Sequence, residues 1–87
     1  MYLALDVWDR MDDAHSVRFR CFQNLRTGKF SVQSSDLYSL PIDKTRADIL
    51  EYQHAELFIQ SPPEERGGGF DTLGAAITNH MEKFGKP

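Results

Sequence analysis

Cysteine is almost missing from this 87-residue chain. Cys21 stands alone, which excludes an intrachain disulfide and leaves nothing pointing to an oxidising compartment. No apolar run approaches the ~20 residues that a membrane-spanning helix needs. The opening Met1-Tyr2-Leu3 lacks a basic region and reaches Asp6 too early to read as a secretory signal. Glycine motifs of the GxGxxG or GxxxxGK[ST] kind are missing, as are close histidine pairs and CxxC knuckles, so no nucleotide loop or metal site is legible. There are no internal repeats. A large excess of one charge is also lacking, and the net charge of −3 disfavours a general nucleic-acid binder. The length leaves no room for two cores, so 1–87 reads as a single, soluble, cytoplasmic domain.

What the chain does contain is a hairpin. Val17, Phe19 and Cys21 alternate with Arg18 and Arg20, the period-two pattern of a half-buried strand. Phe30 and Val32 alternate with Ser31 and Gln33 after the turn. Gly28 suits a three-residue loop that places Leu25 opposite Lys29. Counting outward, Phe22 then faces Val32, Asn24 faces Phe30, Arg20 faces Ser34 and Arg18 faces Asp36. This register divides the apolar residues between both faces. Two resolutions follow: both faces are partly covered, which is the preferred one, or a second bulge gathers the apolar residues together.

The remaining segments complete an α+β fold. Leu3, Leu5 and Val7 alternate with Ala4, Asp6 and Trp8, giving a strand over 2–8, with a helix as the competing reading, and a meander with 16–24 and 29–35. Asp43 is an N-cap for a helix over 43–54. Leu57-Phe58-Ile59 reads as a fourth strand over 56–60, with continuation of the helix as the competing reading. Pro62-Pro63 and Gly67-Gly68-Gly69 mark 61–69 as a flexible Pro/Gly-rich loop. Phe70, Leu73, Ile77, Met81 and Phe84 form a stripe at three- and four-residue steps, predicting a helix over 70–84 that ends at Gly85. Gly74 weakens that helix, so close packing against a neighbour is expected there. A three- to four-stranded sheet with two helices mainly on one face is the predicted architecture.

Candidate chemistry is sparse. Cys21 alternates with core residues and reads as a buried structural thiol. His15, His54 and His80 lie on separate elements, and the pairs Asp12-Asp13 and Glu64-Glu65 sit in loops where solvent keeps carboxylates ordinary. The triglycine run before a helix is a weak anion-loop signal, opposed by Glu64-Glu65 and favoured only by Arg66. Trp8, Tyr38 and Tyr52 are either interface anchors or the rim of a small core.

Charge is unevenly spread. Residues 16–46 are net basic, through Arg18, Arg20, Arg26, Lys29, Lys44 and Arg46, while both flanks are net acidic. Internal pairing of a basic hairpin with acidic helices outweighs a basic binding face. The functional expectation is a non-enzymatic interaction module, binding a protein partner or a second copy through an uncovered sheet face. Arg18, Arg20, Phe22, Gln33 and Arg66 are its expected contacts, with no cofactor, metal or membrane. The alternative is single-stranded nucleic acid on the hairpin 16–35, with Phe22 stacking on a base.

Overall fold

The computed structural model describes residues 1–85. Three antiparallel strands, β1 (Tyr2–Arg10), β2 (His15–Asn24) and β3 (Phe30–Ser39), form a meander in the order β1-β2-β3. Helices α1 (Lys44–Gln60), α2 (Pro63–Gly67) and α3 (Leu73–Phe84) follow. The alternation along the first forty residues thus produces the expected sheet. Asp12 shapes the first turn by accepting from the Ala14 amide at 2.8 Å, and the Met11 amide reaches the His15 carbonyl at 3.0 Å.

The second turn departs from expectation. The Asn24 amide donates to the Lys29 carbonyl at 2.9 Å, so four residues rather than three form the loop. Asn24 Oδ1 accepts from the Arg26 and Thr27 amides, and Gly28 takes the left-handed conformation at φ 74°. The longer loop places Phe22 opposite Ser31, not Val32, and Gln23 opposite Phe30. A register shift opposite Arg20 and Cys21 then leaves Gln33 as the extra residue, restoring Arg20 to Ser34 and Arg18 to Asp36. Loop and bulge cancel.

While Phe22 stays on the opposite face, the bulge brings Val32 onto the face of Val17, Phe19 and Cys21. Val17, Phe19, Cys21 and Val32 are buried there with Ala76 of α3, and Phe30, Leu73, Ile77 and Met81 pack around them. Each fully buried side chain of the larger kind contributes about 1.5–3 kcal/mol. The other face is also covered, by α1. The helices therefore divide between the two faces instead of lying mainly on one.

Two further boundaries differ from the sequence reading. Residues 56–60 are the last turns of α1, not a fourth strand. Helical spacing sets His54 and Phe58 one turn apart, so both rings stack on Phe22. Phe70 lies outside α3; it pairs with Phe30 through two backbone hydrogen bonds of 2.7 and 2.9 Å. Thr72 caps α3 by accepting from the Ala75 amide.

The stretch expected as a flexible loop contains α2, with Pro63 and Gly67 buried. A Cβ on Gly67 would run into the Val32 carbonyl oxygen, so α2 lies directly on β3. Gly74, by contrast, has open space where its Cβ would be, and the close packing expected there does not occur.

Candidate functional site

Four of the five expected contact residues meet in one place, but that place is the interior. Arg18 donates to Asp6 at 2.8 Å and to Glu51 of α1 at 3.0 Å. Arg20 is 3% exposed and pairs with Glu51, with Asp6 at 3.9 Å. Phe22 is 6% exposed, its ring 4.5 Å from Phe58 and 5.3 Å from His54 between centroids. Gln33 Nε2 donates to His54 Nδ1 and to the His54 carbonyl, both at 3.0 Å. Arg66 sits apart, donating to the Leu57 and Ser61 carbonyls at the end of α1. The sheet face expected to receive a partner is instead the seat of α1. Arg18, Arg20, Phe22 and Gln33 hold the helix down, and the sheet face they share is covered rather than open.

The electrostatics fit that role. Arg18 bonded to Asp6 holds its carboxyl below the ordinary aspartate range, and Arg20 does the same to Glu51. Burial lowers His54, with Arg20 adding to the effect, and burial alone lowers His80. His80 lies under the opposite face, where its Nε2 meets the Ser35 hydroxyl at 3.0 Å. Lys29 pairs with Asp71. Much of the basic hairpin's charge is thus matched internally by acidic residues of β1, α1 and the α3 approach.

The residues weighed for chemistry make local contacts. The Cys21 thiol is buried and its pKa is pushed up to about 12, mainly by desolvation. His15 Nδ1 lies 2.8 and 3.0 Å from the Asp12 carboxylate oxygens. Among the described residues no hydroxyl or thiol is bonded to its other ring nitrogen, and the neighbouring Ser16 hydroxyl donates to the Asp9 carbonyl. The couple ties the first turn together and lacks the nucleophile–base contact of covalent catalysis. No group of three or more metal-ligating side chains forms among the described residues. None of the described helices is long and apolar enough to cross a membrane.

Among the open surfaces of the described residues, two group large apolar side chains. At the end of the sheet beyond α1, Trp8, Tyr38, Leu40 and Ile42 line a recess of about 320 Å³. Its aromatic pair already carries cations, Arg18 over Trp8 at 5.1 Å and Arg46 over Tyr38 at 5.8 Å. The second surface is the outer side of α1. Not one residue of this 17-residue helix is buried. Ile49, Tyr52 and Ile59 are 49, 71 and 82% exposed and share the side away from the sheet, beside exposed Asp48 and Glu56. The inner side, with Leu50, His54, Leu57 and Phe58, is only half-buried.

Comparison of the chain with protein-family models, curated proteins and solved structures finds no match. The recess and the helix face rest on their own geometry. One signal in the sequence pointed to the latter: α1 places apolar residues on opposite sides, at 50, 57 and 58 and at 49, 52 and 59. Treating the segment after His54 as a strand hid it.

Proposed function

We propose that this protein is an interaction module without catalytic chemistry of its own, receiving a basic amphipathic helix of a partner protein on the outer face of α1. The observation that carries the reading is the exposure of Ile49, Tyr52 and Ile59 on a helix with no buried residue. An apolar stripe at three- and seven-residue steps fits the ridges of another helix. Exposed Asp48 and Glu56 flank the stripe, so a partner carrying lysine or arginine beside its apolar positions is complementary. The same charges oppose a second copy here, because antiparallel packing of two α1 helices about Tyr52 sets Asp48 against Glu56.

The test replaces Tyr52 with a photo-crosslinking phenylalanine analogue and captures partners from native lysate, with and without nuclease. The helix identified is then titrated against the wild type, Tyr52→Ala and Ile59→Asp. The reading requires a protein cross-link that survives nuclease and a loss of affinity of about tenfold or more in Ile59→Asp, with unchanged circular dichroism. Equal affinity for all three proteins refutes it. Material lost on nuclease treatment would return the hairpin and nucleic acid to consideration.

A further inference from the structure

The two outer edges of the sheet are treated differently by the fold. The edge of β3 is protected: Gln33 bulges, Phe70 pairs with Phe30, and α2 lies against Val32. The edge of β1 has none of these devices. Its nine residues pair with β2 in an unbroken register, with no proline, lysine or bulge. A long, regular edge of this kind is a template for another strand.

The direction of its backbone groups is fixed by the ladder. The Met1 carbonyl accepts from the Leu25 amide, and the Met11 amide donates to the His15 carbonyl. Odd-numbered residues therefore bond to β2, and Tyr2, Ala4, Asp6, Trp8 and Arg10 turn their N–H and C=O groups outward. A second antiparallel strand can dock only by placing even residues opposite even residues. This restriction leaves few registers for self-pairing.

We propose that two copies of the protein join through their β1 edges, with Leu5 on the two-fold axis, into one continuous six-stranded sheet. In this register Leu5 faces Leu5 of the second copy, Leu3 faces Val7, Tyr2 faces Trp8, and Ala4 faces Asp6. The pairs Leu5–Leu5 and Leu3–Val7 extend the apolar face already formed by Cys21 and Val32. Leu3 and Trp8, 46 and 53% exposed in the single copy, gain cross-strand partners. Charge selects this register over those shifted toward Arg10, and length selects it over the one centred on Ala4, which pairs only residues 2–6 of the strand. Centring on Asp6 sets Asp6 against itself, and centring on Val7 sets Leu5 against Asp9. The surface is separate from the outer face of α1, and dimerisation leaves that face open.

The experiment measures mass against concentration by sedimentation equilibrium for the wild type, Ala4→Pro, Ala4→Glu and Ala4→Lys, with amide exchange followed at two concentrations. Ala4 is exposed and its N–H is outward, so proline there keeps the monomer's own ladder and removes a bond of the interface. The expected result is a wild-type dimer, a monomeric Ala4→Pro, and Ala4→Glu about tenfold weaker than Ala4→Lys, since residue 4 faces Asp6 twice in the symmetric pair. Amides of Ala4, Asp6 and Trp8 gain protection with concentration, while those of Leu3, Leu5 and Val7 do not change. A wild type that stays monomeric at millimolar concentration overturns the proposal. So does a dimer in which Ala4→Glu and Ala4→Lys associate equally. If Ala4→Pro fails to fold, the two charge variants decide.

Discussion

The same substitution should have opposite effects at two glycines seven residues apart. Gly74 is the second residue of α3, with nothing within 4 Å of a Cβ built on it. Alanine there adds helix propensity and restricts the unfolded chain, together about 0.4–1 kcal/mol of stabilisation. Gly67 is buried at the end of α2, and its added Cβ meets the backbone carbonyl of Val32. The obstacle is backbone in a strand, which cannot rotate aside, so α2 must lift from β3. The loss is about 1–3 kcal/mol. In a domain of this size 1 kcal/mol moves the melting temperature by roughly 4–8 °C. Gly74→Ala should therefore melt about 2–8 °C higher than the wild type and Gly67→Ala at least about 4 °C lower. Thermal and urea unfolding followed by far-ultraviolet circular dichroism would read both. A destabilised Gly74→Ala would show that the space beside α3 is not open. A neutral Gly67→Ala would show that α2 is not docked on the sheet.

The pH dependence of stability follows from the lowered histidines. His54 and His80 bind protons less readily folded than unfolded, so their contribution is complete above about pH 6.5 and is lost as the pH falls below it. Asp6 and Glu51, also lowered on folding, add a second loss as the pH drops below their ordinary carboxylate range. Urea midpoints should fall from pH 7.5 to pH 5, and His80→Gln should flatten part of that slope; an unchanged slope would remove His80 from the account. Burial of Cys21 and its raised pKa predict that a thiol reagent labels the protein no faster than it unfolds. Labelling at the rate of a free peptide thiol would contradict the buried position.

The α+β meander was readable because each strand carries its own alternation and each turn its own polar residues. Asp43 as the cap of α1 and the stripe of Leu73, Ile77 and Met81 on α3 were readable for the same reason. The register of the hairpin was not. A four-residue loop replaces three, and the Gln33 bulge makes up the difference, so both departures leave the outer pairs Arg18–Asp36 and Arg20–Ser34 unchanged. The surroundings of the expected contact residues were hidden for a different reason. Arg18, Arg20, Phe22 and Gln33 look like a polar, half-open sheet face when α1 is assumed to end at His54. Six more helical residues bring Phe58 onto Phe22, and the docked helix sets Glu51 over the arginines.

By itself the sequence determined the local elements, through the periods of 2 and 3.6 and the residues that cap or break them. It also determined the balance of charge that α1 and the hairpin share, since that depends on composition along the chain. Only the tertiary structure decided which face each helix covers, that residues 63–67 form a docked helix, and that Ile49, Tyr52, Ile59 and the edge of β1 stay open. Those outcomes depend on contacts between residues far apart in the chain: Glu51 with Arg20, Gly67 with Val32, Phe70 with Phe30. No local pattern encodes them, because each partner's own sequence neighbourhood is equally compatible with exposure.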